Sequence, residues 1–206
     1  MPGRQSGDNK LGVTPYIVGK VTGDGCVYGG PTAIQDAIND AFAAGGGVVA
    51  IRPDLTPYVE NLTLMPGVDL FGFCVDGRLP SGLSKVVIEG NHTFAVSGTF
   101  GAHLSQYITF SALSGDAFTI NATAGAQAIL AMKFCGVEAV TVAGQRACVL
   151  DADGTSACQF STDNTNIGAD NHVFDAIGAG SAAAFLNLGT CNSITGYVFQ
   201  LSAGSG

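Results

Sequence analysis

The segment 31–72, PTAIQDAINDAFAAGGGVVAIRPDLTPYVENLTLMPGVDLFG, holds one helical pattern followed by short strand patterns separated by turns. Thr32 followed three residues later by Gln35 is a capping-box pattern, which places a helix start at Thr32. An i, i+3, i+4, i+7, i+8 pattern of apolar residues then predicts an amphipathic helix with one buried face. The apolar residues of this pattern are Ile34, Ala37, Ile38, Ala41 and Phe42.

Glycine ends this helix and short strands follow it. Gly45 can adopt the left-handed conformation of a helix C-terminal cap, and the two glycines after it prevent continuation of the helix. The β-branched run 48–51 predicts a first strand. Two further strands are predicted over 59–64 and 68–73, on either side of a Met-Pro-Gly turn.

This order of elements resembles the first turn of right-handed parallel β-helix proteins, the superfamily of pectate lyase-like enzymes and bacteriophage tailspikes. The matching residues are the helix at 32–42, the first strand at 45–51 and the strand at 58–62. The resemblance implies an all-β fold in which a short amphipathic helix caps the N-terminal end of the solenoid. The same architecture carries lyases, hydrolases, esterases and structural spikes, so the resemblance indicates a fold more than an activity.

The strand and turn pattern continues after residue 73. Apolar and polar residues alternate in segments such as 118–121 and 140–142, which is typical of half-buried strands. Strand centres recur about every 20 to 24 residues, a spacing that fits one β-helix rung and predicts about six to seven rungs. Strands are predicted over 85–89, 93–96, 107–110, 117–120, 129–134, 137–142, 147–150, 157–161, 172–177, 184–188 and 196–201.

We therefore predict two regions. Residues 1–30 form an N-terminal arm and lead-in strand, with the strand at 16–18. Residues 31–206 form a right-handed parallel β-helix domain, with the capping helix at 32–44. The C-terminal part, 176–206, is rich in small residues and has no pattern of a closing helix. Its last rung would expose a sheet edge, so we expect a homo-oligomer, and the resemblance to tailspikes implies a trimer.

Composition and charge narrow the class of protein. The 206 residues are 47% hydrophobic and 12% charged, with 30 glycines, which suits many short strands and tight turns rather than disorder. A net charge of −8 disfavours nucleic acid and anionic membranes as partners. No apolar run reaches membrane-spanning length, so we expect no membrane insertion. The first twelve residues lack the apolar core of a secretory signal, which predicts synthesis in a host cytoplasm.

The six cysteines allow two interpretations. They lie at Cys26, Cys74, Cys135, Cys148, Cys158 and Cys191, and no two form a C-x-x-C pair. Several sit in apolar strand patterns, where a reduced cysteine packs as a small hydrophobic residue. An even number also permits disulfides, although the missing secretory signal favours reduced thiols.

The densest acidic group is Asp151, Asp153 and Asp163, the candidate catalytic residues of this chain. Glycoside hydrolysis needs two carboxyl groups about 5 to 10 Å apart. The run 161–164, Ser-Thr-Asp-Asn, resembles the Asn-Thr-Asp signature of polygalacturonases, but the paired aspartate and the His-Gly of that family are absent. The alternative is that these aspartates stabilise turns by bonding nearby backbone.

Metal and cofactor signals are weak. Asp151-Ala152-Asp153-Gly154 resembles the start of a Ca²⁺ loop, so Asp151 and Asp153 are the candidate calcium ligands. No glutamate follows at the twelfth position of such a loop, and Asp-Gly turns are common. His92, His103 and His172 are scattered, and we interpret them as surface or rung residues. We predict no cofactor and no metal.

Two functions compete, with a third less supported. The first is a non-enzymatic virion component of a tailed bacteriophage, a short spike, fibre or head decoration that docks to other virion proteins through its N-terminal arm. The alternative is a tailspike-like polysaccharide depolymerase, a glycoside hydrolase or lyase acting on a host surface glycan. A cellular carbohydrate-binding module would use aromatic platforms, yet the chain has no Trp and five Tyr. We leave open whether the chain is an enzyme, and we prefer the non-enzymatic virion role.

Overall fold

The computed structural model describes residues 16–23, 25–73, 86–171, 173–193, 195 and 199–201. Residues 1–15 of the predicted N-terminal arm and lead-in strand, Cys74 and His172 lie outside these residues. Within them no helix has the length and apolar character needed to cross a membrane. The described elements are β1 (Tyr16–Val18), α1 (Ala33–Ala43), β2 (Gly47–Ile51), β3 (Tyr58–Val59), β4 (Thr63–Leu64), β5 (Val68–Gly72), β6 (Val86–Glu89), β7 (His92–Ser97), β8 (Phe100–Gln106), β9 (Ile108–Ser111), β10 (Phe118–Thr123), β11 (Gln127–Lys133), β12 (Gly136–Ala139), β13 (Cys148–Ala152), β14 (Ala157–Ala169), β15 (Phe174–Gly178), β16 (Ser181–Ser193) and β17 (Phe199–Leu201).

The strands stack in parallel into a β-solenoid of about four turns. One sheet of eleven strands has the order β1-β2-β5-β8-β11-β14-β12-β9-β6-β3, and β16 also pairs with β14. A second sheet of six strands has the order β17-β15-β13-β10-β7-β4. The long strand β14 joins two faces, because its first half pairs with β11 and its second half with β12. This arrangement confirms the predicted all-β, parallel β-helix class.

The predicted count of six to seven rungs is wrong, since the solenoid has about four turns. The prediction assumed a nearly constant spacing of about 20 to 24 residues. The observed spacing varies widely: Val86 pairs with Ile108, 22 residues further on, whereas Leu70 pairs with Ser105, 35 residues further on. Some turns are longer than others because their connections differ in length. Strand centres that are neighbours in the sequence also belong to different faces of the solenoid, so counting them does not count turns.

The strands predicted after residue 73 each overlap an observed strand, but β8 is missing from the prediction. Its inward-facing residues include His103 and Ser105, which are 2% and 0% exposed. His103 Nε2 lies 2.9 Å from Ser105 Oγ, within hydrogen-bond distance, whereas His103 Nδ1 is buried without a hydrogen-bond partner. Because polar residues occupy the inner face of β8, the alternation of apolar and polar residues gives no strand signal there.

Helix α1 ends as predicted. The N–H of Gly45 donates to the Phe42 carbonyl at 3.0 Å, and the N–H of Gly46 donates to the Ala41 carbonyl at 2.9 Å. This pair of bonds is a Schellman motif, and Gly45 has a φ of 94°, which glycine adopts without strain. Phe42 differs from the prediction, because its side chain is 46% exposed rather than buried.

The predicted capping box at the start of α1 is wrong. Thr32 Oγ1 donates to the Asp36 carboxylate at 3.0 Å and makes no bond to the helix backbone. The capping acceptor is instead Glu60, whose two carboxylate oxygens accept from the N–H groups of Ile34 and Gln35 at 3.2 and 3.1 Å. A residue distant in sequence thus binds two N–H groups that the first turn of a helix leaves unpaired.

Gln35 connects the same helix to the start of the second sheet. Its side-chain carbonyl accepts from the N–H of Thr63 at 2.7 Å, and its side-chain nitrogen donates to the carbonyl of Thr63 at 3.2 Å. Thr63 lies in β4, which pairs only with β7 among the described strands. The helix therefore contacts the outer edge of β4 through hydrogen bonds.

A single apolar core runs through the solenoid and includes the buried face of α1. Inside it Phe110 and Phe118 pack edge to face at 4.9 Å, and Phe160 packs on Phe174 at 5.3 Å. Four cysteines are buried free thiols, which confirms the reduced interpretation for those four: Cys26, Cys135, Cys148 and Cys158.

Candidate functional site

The three candidate catalytic aspartates do not lie in one cluster. Asp151 is a half-buried residue of β13, and Asp153 is an exposed residue of the turn that follows. Asp163 lies six residues after the start of β14, about 20 Å along an extended strand. Lys133 on the adjacent turn places its Nζ 3.4 Å from Asp163 Oδ2. Asp151 and Asp153 therefore lie near one corner of the solenoid and Asp163 near another.

Asp153 stabilises a turn. Its Oδ2 accepts from the N–H of Ala124 at 2.7 Å, and its Oδ1 accepts a short hydrogen bond from Ser156 Oγ. These donors hold the pKa of the Asp153 carboxyl below its usual range, with the Ser156 bond as the largest cause. Within the described ranges no group of three His, Cys, Asp or Glu side chains is placed to hold a metal ion.

His92 and His103 are core residues of the solenoid. The His92 ring lies 5.1 and 5.2 Å from the rings of Phe110 and Phe118, and its Nδ1 accepts from the N–H of Leu62 at 3.3 Å. Burial lowers the pKa of His92 to about 3 and that of His103 to about 4. Both rings are therefore neutral at neutral pH, and their surroundings are those of packing residues.

Arg146 forms the strongest ion-pair network of the described residues. Its Nη2 lies 2.7 Å from Asp116 Oδ2, and its Nη1 lies 2.6 Å from Asp175 Oδ2. Asp175 is only 4% exposed, so its charge depends on nearby compensation. The hydrogen bonds that Arg146 donates to Asp116 are the largest cause that raises the pKa of Arg146 above its usual value. The network joins three successive turns of the solenoid, and we interpret it as a structural ion-pair network that stabilises their stacking.

Exposed aromatic side chains follow one corner of the solenoid. Tyr107 and Phe134, on successive turns, stack at 5.2 Å with an interplanar angle of 15°, and Phe71 packs edge-on against Tyr107 at 5.5 Å. Lys133 Nζ lies 5.4 Å from the centre of the Phe134 ring. Each ring of the stacked pair uses one face for the contact with the other ring, and both side chains remain about 40% exposed.

A cavity of about 340 Å³ lies where the segment after β1 meets the connection from β2 to β3. Its lining includes Lys20, Arg52, Asp54, Tyr58 and Cys26. A second cavity of about 260 Å³ shares Lys20 and Tyr58 with it and also contacts Glu60. These cavities bring together the lead-in segment and the first turn of the solenoid.

The cations of the larger cavity have defined positions. Lys20 Nζ donates to the Pro57 carbonyl and lies 4.5 Å from the centre of the Tyr58 ring. Tyr58 Oη donates to the Arg52 carbonyl at 2.7 Å, and burial, the largest cause, raises the pKa of Tyr58 to about 12. Arg52 Nη1 lies 3.6 Å from Cys26 Sγ.

Sequence reasoning missed this cavity. Lys20 follows a glycine in a Gly-rich segment, and Arg52 lies 32 positions further on, after an apolar strand. Neither residue belongs to a recognisable motif. The only signal was their rarity, because the chain has eight basic residues in total.

Comparison of the chain with protein-family models, with curated proteins and with solved structures gave no match. The class that the structure defines is a parallel β-solenoid protein, with one short helix among the described residues.

Proposed function

We propose that the chain is a non-enzymatic structural component of a bacteriophage virion, a short spike, fibre or head-decoration protein. It acts through self-association and through docking to other virion proteins, with its N-terminal arm as the docking segment. Support comes from the resemblance of residues 31–72 to tailspike-type β-helices and from the different character of the two ends of the solenoid.

The N-terminal end is the closed end in this proposal. Gln35 bonds both backbone groups of Thr63 on the outer strand β4, and Glu60 binds the first N–H groups of α1. The apolar residues Ile34 and Ile38 are fully buried in the same core as the strands. These contacts support a role for α1 as the cap of a right-handed, pectate lyase-like β-helix.

The strands β16 and β17 each have one paired edge among the described residues, and this observation carries the proposal. Among the described strands, β17 pairs only with β15, and β16 pairs only with β14. An outermost strand of a parallel sheet presents a row of N–H and C=O groups to one side. A second copy of the chain can satisfy these groups, and the resemblance to tailspikes suggests a trimer.

Depolymerisation of a host glycan is the competing function. The roughly 20 Å of strand that separates Asp163 from the turn at Asp153 exceeds the spacing of a carboxylate pair in glycosidases. Asp163 is also engaged by Lys133. These observations favour the structural role. A triple variant, Asp151→Ala with Asp153→Ala and Asp163→Ala, separates the two functions if the unaltered chain degrades any host glycan.

The test of the proposed function is association with phage particles. Particles purified by density gradient from a host that produces the full chain should carry it in a fixed number of copies. A chain that stays in the supernatant of the gradient contradicts the virion role. Glycan cleavage that the triple aspartate variant abolishes would favour the depolymerase instead.

A further inference from the structure

We propose that copies of this chain pack against one another through the outer side of the sheet that β5, β8, β11 and β14 form. We name this surface the apolar face, after the four residues at its centre: Ala102, Leu104, Ile129 and Ala131. The inference rests on the self-association in the proposed function and adds the surface that carries it. It does not require attachment to a virion.

Alternation along the strands places these four side chains on the outer side of the sheet. In β8 and β11 every second residue is buried in the core, and the residues between are half-buried or exposed. The register pairs Ala102 with Ile129 and Leu104 with Ala131. The four residues therefore form two adjacent rows on one surface.

Large and small side chains alternate on this surface. Each row holds one alanine and one large aliphatic residue, and their order is reversed between the two rows. A facing sheet with the same alternation can place a large side chain over each alanine, as facing sheets do when they interdigitate about 10 Å apart. A second copy of the chain supplies that alternation.

The described part of the chain packs on the core side of these strands. Besides their neighbours in the sheet, β8, β11 and β14 contact strands of the second sheet, namely β7, β10 and β13. Helix α1 contacts β1, β2 and β5, where its buried side joins the core. The described elements therefore leave the outer side of β8, β11 and β14 without a packing partner.

The outer sides of other described strands are more polar or acidic. Strands β7, β10 and β13 present Thr93, Asn121 and Asp151 there. Strands β6 and β12 present Glu89 and Glu138. Such surfaces suit contact with water, whereas the centre of the apolar face suits contact with another apolar surface.

Charge also favours contact between copies at this surface. The chain has a net charge of −8, so two copies repel each other unless they meet where little charge is exposed. At the border of the apolar face Lys133 and Asp163 lie 3.4 Å apart and balance each other. The remaining charge on the outer side of β5, β8, β11 and the first half of β14 is Asp69, which is half-buried and accepts from the N–H of Leu104 at 3.0 Å. Little net charge therefore opposes the approach of a second copy.

The size of the surface fits a specific interface. The strand β16 extends the same sheet beyond β14, in register from Ala157 with Ser181 to Asp163 with Asn187. Seven residues of a strand span about 23 Å, and five strands span about 24 Å, a footprint of roughly 550 Å². Two such surfaces bury roughly 1,100 Å² together, which exceeds the total of about 1,000 Å² expected of a specific interface.

The apolar face adjoins an edge that the proposed function already assigns to self-association. That edge belongs to β16, which pairs with β14 in the same sheet. One neighbouring copy can therefore contact both the outer edge of β16 and the apolar face beside it.

Sedimentation equilibrium of the full chain tests this inference with a matched pair of variants. Ala102→Glu places a carboxylate on the apolar face, and Ala95→Glu places one on the outer side of β7. Both replace an outward alanine whose outward neighbours on the same strand are uncharged. A double variant, Leu104→Ala with Ile129→Ala, removes the two large side chains without adding charge. Circular dichroism checks that each variant is folded.

We expect Ala102→Glu to weaken self-association by about tenfold or more, because it brings an unpaired carboxylate into the contact. The double truncation should also weaken self-association, by roughly tenfold. Ala95→Glu adds the same charge to the chain and should leave the association constant unchanged. The double truncation remains a test if Ala102→Glu unfolds.

Self-association that survives both Ala102→Glu and the double truncation would overturn this inference and leave the strand edges as the contact. Equal weakening by Ala95→Glu would also overturn it, because overall charge would then be the cause. An unaltered chain that is monomeric at every concentration would overturn the inference together with self-association. An Ala102→Glu chain that stays oligomeric but no longer co-purifies with phage particles would assign the face to another virion protein. Particle association of the unaltered chain tests the virion role separately.

Discussion

The side-chain amide of Gln35 bonds to both backbone groups of Thr63, accepting at 2.7 Å and donating at 3.2 Å. An amide side chain carries the same donor and acceptor as a peptide group, so Gln35 takes the place of a residue on a neighbouring strand. A helix can thus satisfy part of a sheet edge without becoming a strand. The same chain leaves the far ends of its sheets, at β16 and β17, without such a partner among the described residues.

Replacing Gln35 with alanine should destabilise the protein and expose the edge of β4. We expect a loss of about 1 kcal/mol, because the two bonds are partly exposed to water. Asn39→Ala is the control, since Asn39 bonds the same side chain at 2.9 Å but not the strand. Urea unfolding of both variants checks this, and a larger loss for Asn39→Ala than for Gln35→Ala would contradict it.

The helix start should depend on Glu60 and not on Thr32. Glu60→Ala leaves the N–H groups of Ile34 and Gln35 without their acceptor, which should cost about 1–2 kcal/mol. Thr32→Ala should change stability by less than about 0.5 kcal/mol, because the Thr32 side chain makes no bond to the helix backbone and the variant keeps the Thr32 carbonyl. Thermal unfolding compares the two variants, and equal losses would show that the capping role is wrongly assigned.

The ion-pair network of Arg146 should contribute far more to the free energy of unfolding than the exposed ion pair at Lys133. Arg146→Met removes the guanidinium from Asp175, which is 4% exposed, and should cost about 3 kcal/mol. Lys133→Met should cost less than about 0.5 kcal/mol, because both side chains of its pair are nearly half exposed. Free energies of unfolding in urea test this contrast, and similar values for the two variants would refute it.

The buried histidines should make the fold sensitive to acid. The unfolded chain binds a proton at His92 as the pH falls below 6.5, whereas the folded chain binds one only near pH 3. The unfolded state therefore holds more protons in this window, so His92 destabilises the fold progressively as the pH falls from 6.5. The expected slope is roughly 1.4 kcal/mol per pH unit for each such histidine.

The variant His92→Leu isolates this effect. Between pH 7 and pH 5 the unaltered chain should lose roughly 2 kcal/mol more stability than the variant. His103 and the carboxylates contribute equally to both proteins, so the difference belongs to His92. Urea midpoints at the two pH values provide the measurement. Identical pH dependence in the two proteins would mean that His92 is not buried in a neutral state.

The sequence predicted local structure well where one residue type decides it. Gly45 ends α1 through its left-handed backbone, and the β-branched run before Arg52 forms β2, as predicted. The number of turns was wrong because connections of variable length are not encoded in any local pattern. The strand β8 was missed because the polar residues His103 and Ser105 lie on its inner face, so apolar and polar residues do not alternate there.

The candidate site was less predictable than the fold. The acidic group near Asp151 drew attention because its members are close in sequence, yet Asp163 lies at another corner. Lys20 and Arg52 are far apart in sequence, and only the packing of the lead-in segment on the first turn brings them together. Long-range pairing of this kind, like the bonds that the N–H groups of α1 donate to Glu60, leaves no signature in sequence spacing.

The molecular mass of the unaltered chain in solution tests self-association most directly. Light scattering after size exclusion should give a defined multiple of the 20.8 kDa chain mass, with a trimer expected. Adjacent residues of a parallel strand direct their N–H groups to opposite sides, so one of Gln200 and Leu201 directs its N–H group to the outer edge of β17. The proline variant at that position, Gln200→Pro or Leu201→Pro, should dissociate the oligomer while preserving the circular dichroism spectrum. A 20.8 kDa species at every concentration would contradict assembly as the function of this protein.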